Sequence, residues 1–197
     1  MTDFIMPVRD EGPNIARTLS ELYEKAPIAK RVLIVYDSED DDTLPVVRSL
    51  SYPGVVLVRN TRGAGVLNAI RSGIAAATAN VVIVTMADLS DDVAIVPEMV
   101  RRIEEEGADI VCASRYMRGG KQIGGPWLKA FLSRIAGVSL HLLAGFPTHD
   151  ATNAFRAYRR SVLECFPIES SGGFEYSLEL TAKAHHAGLK VVEIPAT

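Results

Sequence analysis

The sequence predicts an α/β protein: a three-layer α/β/α domain with a mostly parallel central sheet. Two observations carry that expectation. Short runs rich in valine and isoleucine recur at 3–6, 32–36, 55–58, 81–85, 110–113 and 191–194, and segments with a helical period separate them. The runs are nearly continuous rather than alternating, which suits strands covered on both faces. Strands and helices alternating in this order favour parallel pairing with helices on both sides.

Each element has its own justification. The first strand leads through Pro13, a good first helical residue, into a helix whose Ile15, Leu19, Leu22 and Ala26 share one face. After 32–36 an acidic stretch ends at Asp42, the expected N-cap of a second helix. A third helix, 65–77, aligns Val66, Ala69, Ile70, Gly73, Ile74 and Ala77. Val81 to Val84 are consecutive β-branched residues and make the clearest strand. A fourth helix, 94–106, carries Ile95, Met99 and Ile103 and stops at Gly107, as a C′ glycine requires.

The pattern then changes. The loop from Ser114 to Gly125 is basic, glycine-rich and longer than a connection needs. The stretch 126–146 is apolar with a helical period, and Trp127, Phe131, Ile135, Val138 and Leu142 form its stripe. A packed core helix is the expected arrangement. The other reading is a surface helix whose aromatic face touches lipid, with Lys129 and Arg134 at the headgroup level. A last helix, 174–187, stops at Gly188 before the final strand.

Composition sets bounds. With 197 residues and 48% hydrophobic content, a single domain with a substantial core is expected. The net charge is −3 and no basic stripe with interleaved aromatics occurs, so nucleic acid is not an expected partner. Cys112 and Cys165 are far apart among apolar neighbours and read as buried thiols in a reducing compartment. The N-terminus lacks a charged segment followed by an apolar one, and no run of about 18 apolar residues occurs, so a cytoplasmic location is expected.

Chemistry concentrates after Val84, where the apolar run breaks into Asp88, Asp91 and Asp92. Ligands of open α/β sheets bind outside the carboxyl ends of the strands. Hard oxygen ligands beside a phosphate suit Mg²⁺ or Mn²⁺. The same residues also suit a solvated turn and a helix N-terminus, and the cluster alone leaves both readings open.

Eight blocks in order resemble the family 2 glycosyltransferases, particularly those acting on dolichyl or polyprenyl phosphate. Met6-Pro-Val-Arg-Asp-Glu-Gly-Pro-Asn-Ile15 resembles the family's opening Pro-x-x-Asn-Glu-x-x-Asn-Ile. Val35 to Thr43 is similar to its Val-Asp-Asp-x-Ser-x-Asp-x-Thr nucleotide segment. Arg62-Gly-Ala-Gly65, with Ala69 and Gly73, resembles the loop and helix that follow. Met86-Ala-Asp-Leu-Ser90 resembles the metal motif Asp-Ala-Asp-Leu-Ser, and Asp109 to Tyr116 resembles Asp-x-Val-x-Gly-Ser-Arg-Tyr. Trp127 to Arg134, Asp150 to Arg156, and Phe174 to Glu179 complete the series.

The resemblance implies a GT-A fold (nucleotide-diphospho-sugar transferase type) and hexosyl transfer, with inversion, from a nucleotide-diphosphate sugar such as a GDP- or UDP-hexose. The implied acceptor is a polyprenyl phosphate, and the implied cofactor is Mg²⁺ or Mn²⁺. Residues 1–113 form the expected donor half and 114–197 the acceptor half of one catalytic domain. Asp88 is the expected metal ligand, with Asp91 as a second. Pro7, Arg9, Glu11, Asp37, Arg62, Gly63, Ala87, Asp88 and Arg156 are expected at the donor, with Glu11 and Asp37 reaching a base or ribose. Arg115, Lys129, Ser133 and Arg134 are expected to clamp the acceptor phosphate. Asp88, Asp150 and Arg115 are the expected catalytic groups, Asp150 acting as base if the acceptor is a hydroxyl. A peripheral contact at the inner face of the membrane goes with a lipid acceptor.

Three departures stand out. Met86 replaces the first aspartate of the metal motif, Tyr36 replaces the first of the Asp-Asp pair, and Asp10 stands in the usual asparagine position. The resembled enzymes also generally continue past the last strand with a basic segment over the donor; a trimmed chain or an absent lid is the expectation here. Two rivals follow: a sugar nucleotidyltransferase, and a non-catalytic nucleotide-sugar-binding protein.

Overall fold

The computed structural model describes residues 1–28, 30–124 and 127–197, with all their side chains except those of Lys129 and Ala130. The chain forms two compact units, Met1–Val100 and Arg101–Thr197. The expected halves divided at 113; the units divide earlier, within the fourth helix.

In the first unit, β1 (Thr2–Pro7), β2 (Lys30–Tyr36), β3 (Val55–Arg59) and β4 (Val81–Val84) are all parallel, in the order β3-β2-β1-β4. They are joined by α1 (Gly12–Lys25), α2 (Thr43–Ser49) and α3 (Val66–Ala76). β1 and β4 are buried along their whole length, as continuous apolar runs require. Each fully buried Val or Ile contributes about 1.5–3 kcal/mol. α1 buries Ile15, Leu19 and Leu22, the predicted face. α3 approaches β1 so closely that a Cβ on Gly73 would lie 2.3 Å from Ile5 Cγ2.

Parallel pairing has one consequence for function: the carboxyl ends of β1, β2 and β4 share one edge. At the opposite edge Asp3 is fully buried. It accepts bonds from Arg31 Nε (2.8 Å), Arg31 Nη2 (2.7 Å) and the N–H groups of Thr78 and Ala79 (2.6 and 2.9 Å). Burial pushes its carboxyl up, but Arg31 and these N–H groups outweigh it and hold the group below the usual range. That edge is structural.

A 3-10 turn at Val93–Ile95 leads into α4 (Val96–Glu104). Gly107 follows with φ +71, the left-handed stop that was expected. The second unit contains β5 (Ile110–Ser114), α5 (Trp127–Ala144), β6 (Arg156–Arg159), α6 (Arg160–Cys165), α7 (Glu175–His186) and β7 (Val191–Pro195). β5 pairs parallel with β7, Cys112 opposite Glu193, and antiparallel with β6, Val111 opposite Ala157.

Three expectations are corrected here. β6 and α6 were not anticipated, because Arg-Ala-Tyr-Arg lacks an apolar run. α5 is not a core helix: Trp127, Phe131, Ile135 and Leu142 are 78%, 54%, 49% and 72% exposed. It is anchored instead at Gly137, where a Cβ would lie 2.3 Å from the His149 carbonyl oxygen. Cys112 is buried as expected, but Cys165 is exposed. Among the described residues, no helix is long and apolar enough to cross a membrane. Pro126, the expected start of α5, lies outside the described residues.

Candidate active site

The first unit carries an acidic edge. The turn after β4 carries three carboxylates with different duties. Asp91 Oδ2 accepts from the Thr85 hydroxyl (2.9 Å) and the Met86 N–H (2.9 Å), closing the turn. Asp92 Oδ1 accepts from the Ala94 N–H at the start of the 3-10 turn. Asp88 is exposed, and its Oδ1 accepts from the Ser90 N–H (3.0 Å). Leu89 between them has φ +63. A leucine in the left-handed region is held there by its surroundings, and such strain collects at functional sites. The Ala87 carbonyl, buried beneath, accepts from the Thr18 hydroxyl (2.6 Å) of α1.

The turn after β1 is built by residues after β2. The N–H groups of Asp10, Glu11 and Gly12 donate to Asp41 Oδ1 (3.3 Å), Thr43 Oγ1 (2.9 Å) and Asp42 Oδ1 (2.8 Å). Asp10 has φ +56, tolerable for aspartate. The run 39–42 is therefore no simple solvated loop, since Asp41 is buried and clamps its neighbour. Asp42 precedes α2, but its carboxylate holds Gly12 rather than capping its own helix. Among the described residues, Asp10, Asp41 and Asp42 are the one acidic trio close enough to share a cation, with ligand atoms within 4.8 Å of one another. The Asp41 and Asp42 Oδ1 atoms already accept backbone N–H bonds, so the trio reads as a loop clamp.

Asp37 and Glu11 lie on this edge, yet both are engaged. Asp37 accepts from Asn60 Nδ2 (2.6 Å) and the Gly65 N–H (2.8 Å), and Glu11 Oε2 accepts from Asn14 Nδ2 (2.9 Å). Asn60 Nδ2 also donates to the Gly63 carbonyl, while its Oδ1 accepts from the Arg62 N–H and the Ser72 hydroxyl. The loop with Arg62 and Gly63 is thereby fixed, Gly63 at φ +93 and Gly65 at +120. The Arg62 and Arg9 side chains are exposed, and Pro7 ends β1. The Tyr36 hydroxyl donates to Glu39 Oε1 (2.7 Å); that bond first, then burial, pushes the phenol above its ordinary range. Asn60, Asp41 and Thr43 were not singled out from sequence, since nothing local marks side chains whose bonds span 23, 31 and 32 residues.

The second unit gathers cations around Tyr116. Arg115 lies 5.2 Å from the Tyr116 ring centre. The Tyr116 hydroxyl donates to Gln122 Oε1 (2.8 Å), has Ser133 within hydrogen-bonding reach and has Arg134 close by. Burial pushes its phenol up, while Arg115, Ser133 and Arg134 pull the other way. Three of the four expected acceptor residues thus meet at a tyrosine that sequence reasoning did not select. The fourth, the Lys129 side chain, lies outside the described residues. Such a cluster of arginines and hydroxyls has the donor set for a phosphate.

Two expected roles change. Asp150 is fully buried, and accepts from Arg115 Nε (2.7 Å), Arg115 Nη2 (3.0 Å), the N–H groups of Arg115 and Asn153, and the Thr152 hydroxyl. A carboxylate locked in a bidentate arginine pair and shut from solvent is no general base; it positions Arg115. Arg156 was expected at the donor phosphates or in a surface ion pair. It is instead fully buried in β6, donating to the carbonyls of Ser177 and Ala151 and to the Thr181 hydroxyl. Asp91 belongs to the turn through Oδ2, which leaves Asp88 as the exposed carboxylate of the pair.

Comparison with known proteins gives the family and the fold. A model of glycosyl transferase family 2 matches residues 3–166. The chain is 29% identical over 201 residues to a polyprenol monophosphomannose synthase of Mycolicibacterium smegmatis, covering 98% of this chain and 75% of the relative. It is 28% identical over 200 residues to a dolichol-phosphate mannosyltransferase of Pyrococcus furiosus, covering 98% of this chain and 55% of the relative. The solved mannosyltransferase PcManGT from Pyrobaculum calidifontis, in complex with GDP-Man and Mn²⁺, superposes with a TM-score of 0.69 at 20% identity, over 98% of this chain and 54% of that one. Glucosyl-3-phosphoglycerate synthase from Mycobacterium tuberculosis, with Mn²⁺, UDP-glucose and phosphoglyceric acid, gives 0.73 at 17% identity, over 99% and 69%. The chain therefore spans about half the length of two of these proteins. The structural likenesses show the fold, which is the GT-A type expected.

Proposed function

Because the chain belongs to glycosyl transferase family 2, we propose that it moves a hexosyl group from a nucleotide-diphosphate sugar to a polyprenyl phosphate, assisted by a divalent cation. The observation that carries this reading is the exposed Asp88 carboxylate, on a strained turn at the carboxyl edge of parallel strands. Mg²⁺ is commonly bound by one or two carboxylates plus substrate phosphates and water, so a single aspartate fits even with Met86 beside it. Mn²⁺ suits the same oxygen ligands. When bound, the cation stabilises charge on the leaving diphosphate as a Lewis acid. Arg62 and Arg9, exposed on the same unit, supply positive charge toward the donor.

On the acceptor side, Arg115 and Arg134 orient the lipid phosphate, and Tyr116 and Ser133 add hydroxyl donors. A phosphate oxygen is itself the nucleophile. Its bond to the anomeric carbon forms as that carbon's bond to the donor diphosphate breaks, in line, which inverts the configuration. No side chain has to remove a proton, and this agrees with an Asp150 that is locked away. The neighbouring face of α5 suits the prenyl chain and the membrane surface bearing it. Phe131, Ile135, Val138, Leu142 and Leu143 line a groove of about 420 Å³ with Arg134 among them, apolar for the tail and cationic for the phosphate. On this reading the protein works at the cytoplasmic face of a membrane, in peripheral contact.

The test is transfer of labelled hexose from GDP- or UDP-hexose, with Mn²⁺, to polyprenyl phosphate in phosphatidylcholine vesicles. Labelled lipid is the expected product. Phe131→Glu with Leu142→Glu is expected to lower transfer to the vesicle-borne acceptor at least about tenfold, because each change puts a charge where lipid lies. Transfer to a short, water-soluble prenyl phosphate is expected to persist. Equal loss on both acceptors would remove the lipid contact. Metal-dependent sugar-nucleotide binding with no transfer to any acceptor would leave the non-catalytic binding protein. Family membership already sets the nucleotidyltransferase aside.

A further inference from the structure

Asp150 fixes Arg115, and what fixes Asp150 lies on the last strand. Glu193 of β7 turns its carboxylate onto the segment 148–150. Its Oε2 accepts from the Thr148 hydroxyl (2.8 Å) and the His149 N–H (2.8 Å), and its Oε1 accepts from His149 Nδ1–H. The Thr148 hydroxyl accepts in turn from the Asp150 N–H (3.1 Å). Thr148 and Asp150 are fully buried, and the Glu193 side chain is 13% exposed. A carboxylate so nearly buried is costly unless donors satisfy it, and here three do. Glu193 sits opposite Cys112 on β5, the strand that ends directly before Arg115. The His149 ring also lies tilted against His141 of α5, with centres 3.8 Å apart. Glu193 thus holds the buried segment with its carboxylate and pairs through its backbone with the strand leading to Arg115.

We propose that Glu193 is a positioning residue for the acceptor-side arginine. Its carboxylate sets the segment 148–150, that segment sets the Asp150 carboxylate, and Asp150 sets the Arg115 guanidinium beside Tyr116. The proposal rests on the reading of Arg115 and Tyr116 as the acceptor-phosphate site. Leucine in place of Glu193 keeps the side-chain bulk but leaves the Thr148 hydroxyl and the His149 N–H without their acceptor, whereas glutamine keeps an oxygen for both and its NH₂ can donate to Nδ1 of the other His149 tautomer.

Two readouts test it on the intact chain. By NMR, the Arg115 Nε–H, identified by its absence in Arg115→Lys, is expected to exchange slowly with water. Glu193→Leu is expected to speed that exchange about tenfold or more, the scale of one hydrogen bond to a charged group. Unchanged exchange would overturn the proposal. In steady state, Glu193→Leu is expected to raise the KM for the prenyl phosphate about tenfold while the KM for the nucleotide sugar stays put. Adding it to Arg115→Lys should cost nothing more, since both changes act through one chain of contacts. Equal rises in both KM values, or additive penalties, would mean a general structural role and overturn the proposal. If Glu193→Leu does not fold, Thr148→Val breaks the same chain one step on and is judged by the same measurements. A wild type that transfers nothing would unseat the acceptor assignment alone, because the exchange readout still decides the positioning.

Discussion

Asp88→Ala is expected to lower hexosyl transfer by about a thousandfold or more while leaving the protein folded. Lewis-acid stabilisation of a leaving diphosphate supplies several kcal/mol, and each 1.36 kcal/mol is a tenfold change in rate. Met86 contributes no oxygen, and Asp91 Oδ2 is committed to the turn, so within this turn Asp88 is the exposed carboxylate. Its removal deletes one local bond, from the Ser90 N–H, so a melting temperature within a few degrees of wild type is expected. Steady-state transfer and a melting curve on one preparation check both halves. Retention of more than about a tenth of the activity would remove Asp88 from the mechanism.

The second large effect is on stability. Asp150→Ala is expected to destabilise the protein by about 2–4 kcal/mol, because the N–H groups of Arg115 and Asn153 and the Thr152 hydroxyl lose a buried acceptor, while the Arg115 side chain, 26% exposed, regains water. For a chain of this size that is a fall of roughly 10 °C in melting temperature. Five donations to a fully buried carboxylate are lost together. The double variant Arg115→Met with Asp150→Leu is expected to regain most of the stability, since apolar replacements of a buried ion pair are commonly well tolerated. It is not expected to regain transfer, because the acceptor phosphate loses its arginine. An Asp150→Ala protein of wild-type stability, inactive only with hydroxyl acceptors, would restore the base role and contradict this account.

The strands were legible because burial on both faces leaves an unbroken apolar signature. All six predicted runs match observed strands to within two residues at either end. β6 was not legible for the same reason: it carries Arg156 and Arg159, and charged side chains belong at the surface unless partners bury them. Arg156 finds those partners on α7 and at Ala151, and no local pattern announces the two bonds to α7, which span 21 and 25 residues. α5 shows a different limit, since a helical apolar stripe looks the same whether it faces a core or a lipid surface. The site follows this logic. Asp88, Asp91 and Asp92 look alike in sequence, and only the folded turn shows that Asp91 closes it while Asp88 faces solvent. Likewise Asp150 passes for a base until its arginine is in place.

The most direct measurement is calorimetric titration of GDP- and UDP-hexoses into the wild-type protein, with Mn²⁺ and with the metal chelated. A donor site built on Asp88 predicts binding of at least one of them that needs the metal and disappears in Asp88→Ala. Metal-independent binding, or metal-dependent binding that Asp88→Ala leaves intact, would contradict it.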